Sequence, residues 1–186
     1  MSPPTRRMVW FGRRLIGREI SFTEPHQSTW RLDEKVREKY VQEDEQAFKK
    51  IKYISQAWAV FLCTNVQHPD VKGVMKIHMQ IPYNGSEYDP PALRSEQATE
   101  KLSGLAWAER EALQLLTKNG CASTPELLSF KQEEQGNDMW VPGGYILYML
   151  MSRLPGERGC IICSGALIEP RGMKFGKASN HGGSIV

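Results

Sequence analysis

Glu109 stands four residues after Leu105 and four before Leu113, inside the apolar stripe of a helix read over roughly residues 96–118. A carboxylate on a packing face is costly unless a cation pairs with it, and the plainer alternative is a glutamate that reaches water at the edge of the stripe. Both readings stay open at this level. Lys76 offers the matching cation. It lies in a strand-like run, 73–80, where Met75, Ile77 and Met79 alternate with Val74, Lys76, His78 and Gln80. A strand lysine usually faces solvent, and its polar neighbours fit that plain view. Together the two residues suggest more, because a strand lysine held by a helix glutamate sets a point charge against nucleotide phosphates.

Such a pair needs a sheet with a helix laid over it. Short strands are read at 51–55, 59–65 and 73–80, with a tight connection at 56–58 and a turn at His68-Pro69-Asp70. Residues 82–91 have loop chemistry. The helix over 96–118 stops at Asn119-Gly120, with Pro125 beyond. A strand near 126–131 comes next, and the wholly apolar run 145–151 suits a strand buried on both faces. Ahead of the strands, 32–48 alternates in charge. Asp33/Arg37 and Glu45/Lys49 stand at helical spacing, and Leu32, Val36 and Tyr40 form a stripe, so an amphipathic helix is expected there. The fold class expected is α+β: a five-stranded antiparallel sheet with one principal packed helix, plus this N-terminal helix. The expected organisation is a basic irregular arm over 1–30, the folded lobe over 31–157, and a glycine-rich, poorly ordered tail over 158–186.

Within this frame Val74-Met75-Lys76-Ile77 resembles the third-strand lysine motif of protein kinases and their relatives. Glu109 with Leu113 and Leu116 resembles the helix that supplies the partner glutamate. Tyr148-Met149-Leu150-Met151 and Leu154-Pro155-Gly156-Glu157 resemble the fifth strand and hinge, the Leu-Pro-Gly ending closer to aminoglycoside and choline phosphotransferases than to typical protein kinases. Gly120-Cys121, Thr124-Pro125 and Pro142-Gly143-Gly144-Tyr145 are similar to kinase-like proteins common in filamentous fungi. The resemblance spans roughly 48–157. It implies that Lys76 contacts nucleotide phosphates, that Glu109 orients it, and that Val74 touches adenine. It further implies a gatekeeper at Met151 and hinge hydrogen bonds from the backbone of Ser152 and Leu154.

Two departures from the kinase pattern weaken the expectation of catalysis. The turn where such proteins place phosphate-binding glycines reads Gln56-Ala57-Trp58-Ala59, without glycine, so ATP is expected to bind weakly or not at all. After Glu157 no aspartate occurs, so Mg²⁺ is not supported and no catalytic residue is assigned. The leading expectation is a truncated, catalytically inactive kinase-like lobe. The alternatives are a fragment of an active phosphotransferase whose catalytic lobe is absent, and a small protein-binding adaptor using the helix at 32–48.

Composition narrows the classes. A net charge of +3 is too small to argue for a nucleic-acid partner. No apolar run approaches a membrane span. The chain is expected to be cytoplasmic, with the arginine-rich start at Arg6, Arg7, Arg13, Arg14 and Arg18 leaving mitochondrial targeting as a second reading. Cys63, Cys121, Cys160 and Cys163 are expected as thiols, with the 160/163 spacing a weak metal signal. Asn84-Gly85-Ser86 reads as a turn.

Overall fold

The computed structural model describes residues 8–154. Its elements in chain order are β1 (Glu19–Phe22), β2 (Ser28–Val41), α1 (Glu45–Ile51), β3 (Gln56–Asn65), β4 (Lys72–Gln80), α2 (Pro91–Ser95), α3 (Gly104–Lys118), β5 (Leu127–Glu134) and β6 (Tyr145–Ser152). All strand pairs are antiparallel, and the six strands run in the order β1-β2-β3-β4-β6-β5. The two edges, β1 and β5, come back towards each other, and Ser129 Oγ donates to the Glu24 carbonyl beside β1. The sheet is therefore a nearly closed barrel with three short helices. The expected five-stranded sheet with one packed helix is wrong in strand number and in closure.

The largest error is the helix expected at 32–48. Residues 28–41 are the long strand β2, hydrogen-bonded along β3, with register shifts between Leu32 and Glu34 and between Lys35 and Arg37. Apolar residues four apart also share one face of a strand, so the stripe does not discriminate. The ion pairs do. Asp33 meets Arg31 at 3.1 Å, the i,i+2 spacing of a strand, and accepts from Thr64 on β3, while the helical pairing with Arg37 is not made. Helix starts only where Asp44 Oδ1 accepts from Ala47 N at 2.7 Å, and there Glu45 and Lys49 pair at 2.7 Å as their spacing suggests. The adaptor reading loses the element it rested on.

Residues 51–59 differ too. Ile51 ends α1, and Gln56 to Ala59 lie inside β3 rather than in a turn. The connection into β3 is 42–55, which carries α1 and has no glycine. α3 is shorter than the helix expected over 96–118. Ser103 caps it, and the backbone before that serves the sheet, with Tyr145 N donating to the Thr99 carbonyl at 3.0 Å. The expected strands at 73–80, 126–131 and 145–151 match β4, β5 and β6 in place, and 145–151 is buried throughout.

The first thirty residues are not an irregular arm where they are described. β1 forms there, and Trp10, Phe11, Ile20, Phe22 and Trp30 join the barrel core with Phe61, Met75, Ile77, Met79, Ile146, Tyr148 and Leu150. Residues 1–7 and the tail expected over 158–186, with Cys160 and Cys163, lie outside the described residues. Among the described residues no helix is long and apolar enough to cross a membrane.

Candidate functional site

β4 alternates as its sequence requires. Met75, Ile77 and Met79 point into the barrel, and Lys76, His78 and Gln80 point to the opposite face. That second face does not reach solvent. Ala106, Glu109 and Leu113 of α3 are buried, and Lys76 and His78 are 3% and 0% exposed. A helix laid over a polar strand face has to supply the counter-charge, and Glu109 does so.

The structure brings Lys76 and Glu109 together. Lys76 Nζ donates to Glu109 Oε1, and His78 Nε2 lies 3.1 Å from Glu109 Oε2. His78 is visible beside Lys76 in the alternation, yet no sequence signal ties it to the carboxylate. Burial pulls the Glu109 carboxyl upward, but the His78 hydrogen bond and the Lys76 ammonium outweigh it and hold it below the ordinary glutamate value. Burial pushes the Lys76 ammonium below the usual lysine range against the pull of Glu109. Burial likewise lowers His78, so the ring is neutral and its Nε2–H donates to the carboxylate. Nδ1 is then an acceptor, buried without a hydrogen-bond partner.

Pairing across the sheet extends the site. Lys76 lies opposite Val60, which lies opposite Arg37, and His78 lies opposite Trp58, which lies opposite Lys39. Residues so paired share a face, so Arg37 and Lys39 add positive charge beside Lys76, and both act to lower its pKa. Arg37 Nη2 is buried with no hydrogen-bond partner. The Trp58 ring stacks on His78, centroids 5.9 Å apart and planes 16° from parallel.

The other residues implied by the resemblance line the neighbouring rows. Val74 pairs with Met151, and the two are 5% and 1% exposed. Ser152 N–H donates to the Glu126 carbonyl at 2.9 Å, and Ser152 Oγ accepts from Glu126 N at 2.9 Å. Its backbone donor is already used within the sheet edge. Leu154 lies just beyond β6 and is half-buried. Structure thus gathers Lys76, Glu109 and, one row away, Val74 and Met151, while Ser152 and Leu154 stand at the strand end. Among the described residues no group of His, Cys, Asp or Glu is arranged to hold a metal ion.

No family model matches this chain, and no curated protein or solved structure matches it either.

Proposed function

We propose that the chain is a non-catalytic, kinase-like phosphotransferase relative that binds a nucleotide weakly through its phosphates, with Lys76 as the contacting cation and Glu109 orienting it. The observation that supports this reading is the Lys76–Glu109 pair, joined between β4 and α3. The surroundings add to it. Arg37 shares the face and its Nη2 is buried without a hydrogen-bond partner, so the carboxylate of Glu109 stands against both Lys76 and Arg37, and an anionic ligand relieves the excess. Two features keep the affinity low. No glycine-rich turn offers backbone N–H groups to phosphates, and Lys76 Nζ is reached only after the side chains around it give way.

The test is titration of the full chain with ATP, followed by tryptophan fluorescence and by calorimetry. Saturable binding is expected, weakened about tenfold or more in Lys76→Met, as loss of a charge-assisted hydrogen bond implies. Arg37→Gln leaves the buried pair in place and should weaken binding with the fold intact. The reading fails if ATP does not saturate at millimolar concentration, or if both folded variants bind as the parent does.

A further inference from the structure

Arg37 is half-buried on β2, yet its Nη2 is fully buried and has no hydrogen-bond partner. An unmade donor on a charged, buried group is costly, so a ligand that supplies the acceptor gains from it. The acids of this face do not fill that need. Glu109 is taken up by Lys76 and His78, and Glu34, one row along and opposite Leu62, is exposed to water. What the face offers a base is already in use. Val74 and Met151 are buried, and the Ser152 N–H is donated to the Glu126 carbonyl at 2.9 Å. The donor left over is one that suits an anion.

Spacing sets the size of that anion. Lys76 and Arg37 flank Val60 in one row across β4, β3 and β2. Neighbouring strands lie about 4.8 Å apart, so two spacings put the backbones of the two cations about 10 Å apart. The Lys76 head is not drawn across this gap. Its Nζ is held by Glu109 of α3, and α3 lies towards β5, where Arg110 stands 5.4 Å from the Phe130 ring centre, on the side of β4 away from β2. A single phosphate therefore engages one cation or the other, whereas a chain of phosphoryl groups engages both.

We infer that this face takes its ligand as a polyphosphate whatever base is attached, with Arg37 holding the outer phosphoryl group and Lys76 the inner one. The inference rests on the anion site proposed at Lys76 and names its ligand class. A guanidinium presents N–H groups in a planar fork that matches phosphate oxygens, so Arg37 supplies from a side chain the donors that a glycine-rich turn supplies from the backbone. Arg37 is also the more accessible of the two cations, since Lys76 is only 3% exposed. The ligand meets Arg37 first and reaches Lys76 through its next phosphoryl group.

The experiment is calorimetric titration of the full chain, without magnesium and at fixed ionic strength, with inorganic tripolyphosphate, inorganic phosphate, ATP and adenosine. Tripolyphosphate is expected to bind within about threefold of ATP and about tenfold or more tighter than phosphate, the worth of one further charge-assisted hydrogen bond. Adenosine should not bind. In Arg37→Gln the advantage of tripolyphosphate over phosphate should shrink about tenfold, and Arg37→Lys should restore part of it. Arg18→Gln removes the same charge from an exposed arginine beside β1 and should leave every affinity unchanged. Circular dichroism checks that each variant is folded. Binding of ATP without binding of tripolyphosphate overturns the inference and leaves nucleotide binding standing. Binding of tripolyphosphate without ATP overturns the nucleotide reading and leaves the inference standing. Equal losses in Arg37→Gln and Arg18→Gln overturn the inference, because overall charge then accounts for the binding.

Discussion

Replacing Lys76 and Glu109 singly and together tests whether they form a closed ion pair in solution. The two side chains are 4% and 12% exposed, and each carries a full charge into the layer between β4 and α3. Removing one partner of such a pair strands the other, at about 3–5 kcal/mol. A domain of this size has a total stability of about 5–15 kcal/mol, so either single variant consumes a large share of it. The singles are not equivalent. Lys76→Met leaves Glu109 still accepting from His78, whereas Glu109→Leu leaves both the ammonium and the His78 Nε2 donor unpaired, adding about 1–3 kcal/mol. Glu109→Leu is therefore the more damaging. The double variant Lys76→Met/Glu109→Leu removes both charges, and replacing a buried pair by apolar groups is often near neutral. It should be more stable than Glu109→Leu alone. Urea denaturation followed by tryptophan fluorescence and far-ultraviolet circular dichroism yields the cycle, and a coupling of at least about 1.5 kcal/mol is expected. Single variants costing under about 1 kcal/mol each, with additive effects, would refute the buried pair and return Glu109 to the water-reaching edge of its stripe.

Acid should weaken the same layer. The His78 value is depressed below the ordinary 6.5, so the unfolded chain takes up the proton first. The stability linked to a neutral His78 is whole above about pH 6.5 and is lost as pH falls, at no more than about 1.4 kcal/mol per pH unit for one proton. Glu109, also depressed, contributes above the ordinary glutamate value and loses its share only at lower pH. Urea midpoints measured from about pH 7.5 to 5.0 should fall for the parent and fall less for His78→Gln, and equal slopes would contradict the assignment. Deletion of residues 1–22 removes Trp10, Phe11, Ile20 and Phe22, which are 3%, 1%, 5% and 1% exposed. Losing one such aromatic costs about 3–5 kcal/mol, so the shortened chain should be unfolded by circular dichroism. A folded product would show that this segment is dispensable.

Local sequence patterns expose the period of the central strands and the site itself, and they hide the closure of the sheet. Alternation in 73–80 places Lys76 and His78 on one side of β4, and the stripe around Glu109 places a carboxylate on the covering helix, so their meeting is legible from two local patterns. β2 is not, because Leu32, Val36 and Tyr40 satisfy both periods, and the two register shifts break the alternation that would reveal a strand. Segment 8–22 is hidden because its burial depends on partners far away in sequence. Trp10 N donates to Glu38 at 2.6 Å, Lys35 Nζ to the Phe11 carbonyl at 2.7 Å, and Trp140 Nε1 to the Trp10 carbonyl at 2.8 Å. Local composition there displays arginines, while the fold uses the aromatic residues between them.

What sets Glu109 opposite Lys76 is a buried polar cluster at one end of the layer between the sheet and α3. Gln56 at the start of β3 pairs with Gln80 at the end of β4, and each reaches the segment leading into α3. Ser103 Oγ donates to Gln56 Oε1 and also accepts from Ala106 N at 3.1 Å, so one hydroxyl both caps the helix and ties it to the sheet. Gln80 Oε1 accepts from Thr99 N at 3.0 Å, and Gln135 Nε2 donates to the Gln80 carbonyl at 2.8 Å. This packing leaves no room beside Gly144, where a Cβ would stand 2.5 Å from Gln80 Oε1, and Gly143 turns the chain at φ +80°. The Pro142-Gly143-Gly144 segment thus has a packing reason whatever its resemblance. From that anchored end, Glu109 lies six residues along α3, about 9 Å of helix rise, and Lys76 lies four residues back along β4, about 13 Å of strand. The difference of about 4 Å is within the reach of a lysine and a glutamate side chain extended toward each other. The glutamine cluster sets the axial position of α3, and that position brings the two charges into contact.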